Sequence, residues 1–528
     1  MSVRTFVAAL AALLVASACT TTADTSVEPP PSSAVETVET APAASGAELR
    51  IAMAEPESLH PHHVVSDRAV ELAGLLHRPL TVRGADGFAQ PALALSWTSD
   101  NSITWTFELD PTATFADGEP ITATTVATSW QRAAEQSTRA RAAYIGIEAG
   151  ITDWDDAVAG IEGAVIGVQI LSPTTLQVQL DRSNPWLPEI VAHPLFAPVR
   201  APDDGGVPVA SGPYVATTRG DGVAGLTLTR RDAGDASSPA VVDVEFVTDE
   251  AAAIAAVADG RADLTVATSA EAADGLSVDT VAGSTLWYLG YPTSRGPLSQ
   301  PEPRRVLTMA IDRDTAADRF DSRQADNPRF APFYAVNSLH AQCRWCTFDL
   351  EGSLAAAEEL DVEPPENPIS LHLVAGGPGE AWADAMADVW RDDLGWPVNV
   401  VRWEDLRSMV GFLQSGVPDG PFILPFVGVH PGAEAWISPL LDRNGADDFV
   451  RYGNDTLIEH FRLISTTPND DDERRTLIAD LNDTLNDALA FVPLSVSQRH
   501  VIHDGTTVTV PRRSGITGVD LAGITVLP

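Results

Sequence analysis

The chain carries 73 Asp and Glu against 33 basic residues over 528 positions, a formal net charge of −40. Every basic residue other than histidine is Arg. This balance argues against nucleic acid and against adhesion to anionic headgroups, both of which rely on basic patches. The absence of Lys excludes a Schiff-base or phosphate-loop lysine.

Arg4 is the only charge before an apolar run over residues 6–15, which leads into Ala16, Ser17, Ala18 and Cys19. A bilayer span needs about twenty apolar residues, so this shorter run with a basic start reads as a cleaved export signal, residues 1–18. It resembles a bacterial lipoprotein signal, which implies that Cys19 is lipidated and becomes the new N-terminus. Residues 19–46 are rich in Thr, Ser, Pro, Ala and Glu. They cannot bury enough surface to offset their ordering entropy, and they read as a disordered tether. The remainder exceeds what a single core usually accommodates, so two or three domains are expected.

Ile103, Trp105, Phe107 and Leu109 fall on alternate positions, which predicts a half-buried strand ended by Asp110-Pro111. A turn follows at Ala116-Asp117-Gly118, and Thr122 can cap a helix running through Val126 and Trp130. Leu176, Val178 and Leu180 alternate in the same way. Val242, Val244 and Phe246, the alanine-rich stretch from Glu250, the stop at Gly260, and Leu264 with Val266 predict a strand-helix-strand unit. A second unit is predicted from a strand over residues 369–374, through a helix closed by Gly395, to a strand over 398–401. A helix is expected over residues 354–360. Leu477, Leu481, Leu485 and Leu489 step by four along one face of another. The pattern is that of a mixed α/β protein with at least two cores.

Seven stretches then carry a family resemblance: "IAMAEPESLHP" (51–61), "GLLHRPLTV" (74–82), "ALALSWTSDNSITWTFEL" (92–109), "ATFADGEPITATTVATSWQR" (113–132), "SGPY" (211–214), "VADGRADL" (257–264) and "PRRVLTMAIDR" (303–313). In this order the chain resembles family 5 extracellular solute-binding proteins, the oligopeptide, dipeptide and nickel receptors of ABC importers. The resemblance implies an α/β, bilobal periplasmic-binding-protein-like fold of class II with an extra inserted domain. Lobe I would comprise residues 47–83, 191–283 and 493–528, the inserted domain 84–190, and lobe II 284–492. It further implies a monomeric, lipid-anchored receptor on the outer face of the cytoplasmic membrane. Such a receptor captures a small-molecule or peptide ligand by lobe closure and delivers it to permease subunits. A non-transport binding or sensing lipoprotein, or a receptor for a sugar or metal chelate, is the alternative.

The family's peptide binders hold the ligand's ammonium with an aspartate in a pattern like Trp-x-Ala-Asp-Tyr-Pro. Here the matching positions are Phe426, Gly428, Val429, His430 and Pro431, so the carboxylate is replaced by Val429. An unpaired buried ammonium is costly, and Glu434, Asp405 or Glu404 are the nearby acids that could substitute. The resemblance also assigns His63, Val64 and Ser66 to a loop alongside ligand in lobe I. It assigns Trp287, Tyr288 and Tyr291 to an aromatic junction between the lobes, and Trp403 to a loop entering lobe II.

No Gly-x-Ser-x-Gly and no His-Glu-x-x-His is present, so no enzyme and no cofactor is expected. His60, His62 and His63 form one histidine cluster without a second ligand group, and structure is favoured over a metal site. Cys343 and Cys346 have the spacing of a redox motif or half a zinc site. Neither a second pair nor a surrounding redox fold accompanies them, and in an exported chain they read as a short disulfide pinning a loop.

Overall fold

The computed structural model describes residues 47–527, apart from 85, 137–139, 162, 164, 201–207, 232–237, 314–341, 378, 416–417, 419, 442–447, 453–454, 468–471 and 511–518. The export signal, Cys19 and the tether lie outside the described residues.

The chain opens with β1 (Glu48–Ala54) and α1 (Asp67–Leu76), followed by the hairpin β2 (Thr81–Arg83) and β3 (Ala89–Pro91). Next comes an antiparallel sheet in the order β4 (Ala94–Thr98), β5 (Thr104–Leu109), β7 (Thr175–Gln179), β6 (Val168–Ser172). The predicted alternation on β5 buries Trp105, Phe107 and Leu109. The helix α2 (Ala123–Gln136) packs on this sheet. Thr122 caps it as expected, its Oγ1 accepting from the Thr125 N–H at 3.2 Å. After the short α3 (Leu187–Ile190) the chain returns through β8 (Tyr214–Thr218) and β9 (Gly225–Arg230). It then forms β10 (Val241–Val247), α4 (Glu250–Ala258) and β11 (Leu264–Ala267). β10 and β11 both run parallel to β1, which lies between them.

Two long strands follow at opposite ends of the next segment, β12 (Ser277–Gly290) and β16 (Phe491–His503), paired antiparallel along their length. Between them lie α5 (Leu350–Glu359), β13 (Ile369–Val374), α6 (Gly379–Asp392), β14 (Val398–Trp403), α7 (Leu406–Gln414), β15 (Phe422–Val427), α8 (Asp455–Thr466) and α9 (Asp472–Ala488). The helix predicted over 354–360 starts four residues earlier because Asp349 caps it, accepting from the Gly352 N–H at 2.8 Å. On α9, Leu481 and Leu485 are buried as the four-residue step requires. Leu489 lies beyond the helix in a left-handed turn with φ 43°.

One ten-stranded sheet, in the order β14-β13-β15-β12-β16-β11-β1-β10-β9-β8, runs through both lobes of this bilobal α/β fold. One hydrophobic core, between residues 286 and 496, covers the β12–β15 end. A second, with members between residues 49 and 76, 214 and 266, and 501 and 524, covers the other end. A third gathers residues between 80 and 196 and takes in Val429 from the far side of the sequence.

Candidate ligand-binding site

Leaving β15, the chain makes a tight loop through Gly428, Val429, His430 and Pro431. A Cβ at Gly428 would lie 2.4 Å from the Trp436 ring, so only glycine fits. Phe426 is buried, edge-on to Tyr144 and Trp436. Val429 packs into the core of residues 80–196, and its carbonyl accepts a hydrogen bond from the Arg83 guanidinium. Arg83 Nε donates to the Glu189 carbonyl at 3.1 Å. His430 stacks on Trp186 with ring centroids 5.1 Å apart, and Phe88 also stacks on Trp186 at 6.0 Å. The Arg474 guanidinium lies 5.6 Å from the Trp186 ring centroid.

His430 Nδ1 accepts from the Gly432 N–H at 3.1 Å, which leaves its proton on Nε2 when the ring is neutral. Burial, with Arg83, Arg474 and Arg182 nearby, drives its pKa well below the ordinary histidine value. The buried Glu189 side chain uses Oε1 to accept from the Ala89 N–H at 3.1 Å, while Oε2 has no hydrogen-bond partner. Burial raises its pKa to about 7 against the opposing pull of the Ala89 N–H and Arg83.

In the loop before α1, the Glu57 carboxylate binds the N–H groups of Val65 and Ser66 at 2.6 and 2.8 Å and the Ser66 hydroxyl at 2.6 Å. Ser66 Oγ also caps α1 by accepting from Ala69 N–H at 3.3 Å. Val64 is packed among Ala69, Val70 and Ala73, so its side chain belongs to the interior. His63 stacks on His60 with centroids 4.3 Å apart. His62 lies 3.3 Å through Nε2 from Ser129 Oγ. Among the described residues no three His, Cys, Asp or Glu converge as a metal site.

Of the aromatic junction, only Trp287 faces open space. Tyr288 packs edge-on against Phe422 and Phe491. Tyr291 is fully buried with its hydroxyl 3.2 Å from Thr308 Oγ1. Both belong to the core between residues 286 and 496: Tyr288 follows Trp287 across a shift in the β12–β16 pairing, and Tyr291 lies just past the end of β12. Trp403 donates through Nε1 to His372 Nδ1 at 3.2 Å and packs on Phe412. Trp287 instead walls a cavity of about 180 Å³ with Leu373 and Val374 of β13 and Ile423 and Pro425 of β15. Gly377, Gly379 and Leu406 complete the lining.

The structure therefore joins Phe426, Gly428, Val429 and His430 into one seam with Arg83, Trp186 and Glu189, and sets Trp287 apart beside a cavity. Sequence reasoning missed Arg83, Trp186 and Glu189. The only signal was an aromatic and an acid in the segment "NPWLPEI" (184–190), and nothing local said which loop they would meet. It also missed the cavity-lining Leu373, Leu406 and Ile423. Cys343 and Cys346 lie with Cα atoms 5.4 Å apart and sulfurs at bonding distance. Between them, Arg344 reaches Asp483 at 2.7 Å and the Trp345 ring lies under the Arg305 guanidinium at 3.7 Å.

A bilobal α/β fold with a seam of aromatic and charged groups and an apolar cavity beside Trp287 is an architecture suited to binding a solute. The family model "Bacterial extracellular solute-binding proteins, family 5 Middle" matches residues 89–409, and the chain belongs to that family. It is 25% identical over 387 residues to the periplasmic murein peptide-binding protein MppA of Escherichia coli (strain K12), covering 66% of this chain and 70% of that one. It is 24% identical over 384 residues to the periplasmic oligopeptide-binding protein OppA of Salmonella typhimurium, covering 66% and 69%. The solved structure of MppA, the periplasmic murein tripeptide binding protein, in its unliganded open form, superposes with a TM-score of 0.75 at 21% identity. That superposition covers 92% of this chain and 98% of that one.

Proposed function

We propose that this protein is a lipid-anchored extracytoplasmic receptor that captures a peptide between two lobes and delivers it to the permease of an ABC importer. The observation that carries the reading is the seam in which Arg83, Phe88 and Trp186 meet Val429 and His430 of a distant segment. Contacts of this kind are what a two-lobed receptor makes and breaks as it closes. The names of the relatives, murein peptide-binding and oligopeptide-binding proteins, support a peptide as the solute.

In this reading lobe I comprises residues 47–83, 191–283 and 493–528, the inserted domain 84–190 and lobe II 284–492. Residues 1–18 are a cleaved signal, Cys19 carries the lipid and 19–46 is the tether that lets a monomer work on the outer face of the membrane. The Cys343–Cys346 pair is a disulfide that persists outside the cytoplasm and fixes the turn carrying Trp345. His63, Ser66, Trp287, Trp403, Phe426, Gly428, Val429 and His430 are the ligand-side candidates that remain at or near surfaces or the seam.

One observation favours a ligand without a free ammonium. Position 429 is Val, buried, with its carbonyl already engaged by Arg83. Native mass spectrometry of the purified protein, followed by extraction of retained ligand, tests both readings. A copurified peptide mixture is expected. A single non-peptide solute, or thermal shifts with sugars or metal ions and none across a peptide panel, overturns the peptide reading.

A further inference from the structure

The cavity beside Trp287 occupies a definite topological position. β13, β14 and β15 are parallel, in the sheet order β14-β13-β15. The chain leaves β13 through α6 to reach β14 on one side, then crosses back through α7 to β15 on the other. Successive connections therefore diverge at the carboxyl end of β13, which is where open α/β sheets leave a crevice for ligands. Leu373 and Val374 end β13, Gly377 and Gly379 lead into α6, and Leu406 opens α7, so the cavity lies in this crevice.

Its chemistry is one-sided. Every lining residue is apolar or glycine. The charged groups nearby are occupied with one another outside it: Arg402 binds Glu380 at 2.7 Å and Asp384 at 2.6 Å, and Glu380 also accepts from the Gly376 N–H at 3.0 Å. Leu406 is 46% exposed and forms an apolar rim. Glycine keeps the wall low. A Cβ at Gly379 would press to 3.2 Å from Ile423 Cγ2 and narrow the space. The volume of about 180 Å³ compares with the roughly 150 Å³ of an apolar protein cavity that stays dry and admits benzene. The space therefore fits a leucyl or phenyl group.

We propose that this cavity receives a large aliphatic or aromatic side chain of the captured ligand, making the receptor selective for peptides that carry one. The proposal rests on the peptide-receptor reading above for the identity of the ligand, and on the cavity alone for its chemistry.

The test uses the full chain and calorimetric titration with trialanine, triserine and trileucine, each with a free and with an acetylated N-terminus, and separately with benzene as a probe of the cavity. Trileucine is expected to bind at least about tenfold more tightly than trialanine or triserine, since even one methylene in an apolar pocket is worth about that factor. Gly377→Leu fills the cavity at a site where a Cβ meets only the Val374 carbonyl at an ordinary 3.5 Å. Leu406→Asp puts a charge on the rim at a helix start, where an acidic side chain suits the backbone dipole. Both are expected to reduce the leucine preference to less than about threefold, and Gly377→Leu to abolish benzene binding. Leu171→Asp, exposed on β6, keeps both. Equal binding of all three peptides by the unaltered protein, or a preference that survives both cavity variants, overturns the proposal while leaving the peptide reading intact. Binding of benzene, lost in Gly377→Leu, with no tripeptide bound would instead uphold the cavity and overturn the peptide reading. Failure of benzene to bind the unaltered protein counts against the cavity.

Discussion

Glu189→Gln should make the protein more stable at neutral and alkaline pH while changing little in acid. In the folded chain Glu189 has a pKa of about 7 against an ordinary 4.5, because burial opposes its charge and one carboxylate oxygen lacks a partner. An acid whose folded pKa is raised binds its proton more strongly folded than unfolded. Its contribution is therefore most favourable below pH 4.5, declines as pH rises toward 7, and reaches its full penalty above that. A shift of about 2.5 units corresponds to about 3 kcal/mol, and nearly all of it develops between pH 4.5 and 7. Glutamine keeps the shape and the acceptor for the Ala89 N–H but never ionises. Urea unfolding of both proteins from pH 4.5 to 8 measures the difference, and pairing the curves cancels the titration of every other group. The variant should gain about 2–3 kcal/mol relative to the parent across that range. Parallel curves would refute the claim that Glu189 ionises inside the fold, and a gain on acidification would reverse its sign.

His430→Phe tests the opposite slope. Its folded pKa is depressed, so its stabilisation is present above the ordinary histidine value near 6.5 and is lost as pH falls below it. The phenyl ring keeps the stack on Trp186, and the variant's stability should fall less than the parent's between pH 6.5 and 4.5 in thermal melts. Gly428→Ala drives a methyl to 2.4 Å from Trp436 and should cost about 1–3 kcal/mol in chemical unfolding; a neutral result would mean that the loop is free to shift. Cys346→Ser opens a very short loop. The chain-entropy relation gives it about 2 kcal/mol, and hydrogen exchange should show the loss confined to the turn around Trp345 and its contacts on α9.

The α/β class and most elements were legible because each rests on a local pattern. The alternation of Trp105, Phe107 and Leu109 needs only one buried face, and the cap at Thr122 needs only one hydroxyl three residues before an N–H. The family order extended this to a bilobal fold. The site was legible only in part. Phe426, Gly428, Val429 and His430 lie together because they are consecutive, but their partners Arg83, Trp186 and Glu189 come from segments hundreds of residues away. Tyr288 and Tyr291 illustrate the other limit. A tyrosine near a lobe junction looks the same in sequence whether its strand position points to the core or to the cleft, and here burial decides for the core.

The way the two halves of the sheet join also bears on how a receptor of this kind would close. β15 pairs with residues 285–290 of β12, and β11 with residues 500–503 of β16, so β12 and β16 carry the sheet from one end to the other. Their ladder is interrupted where the pairing shifts between Ala282 and Leu286 and again between Trp287 and Tyr288. A bulged ladder has fewer hydrogen bonds to strain and bends more easily than a regular one. At the first shift Ser497 Oγ accepts from the Thr285 N–H at 3.2 Å, and a Cβ at Gly283 would lie 2.3 Å from that oxygen. The bulge is thus held by a side chain and kept narrow by a glycine, next to the strand position that carries Trp287. Bending there would move the β13–β15 end of the sheet, and with it the cavity wall, relative to the β1–β11 end. Ligand capture on this plan needs no group to react, only a bound solute whose contacts on both sides outweigh the modest cost of bending two strands.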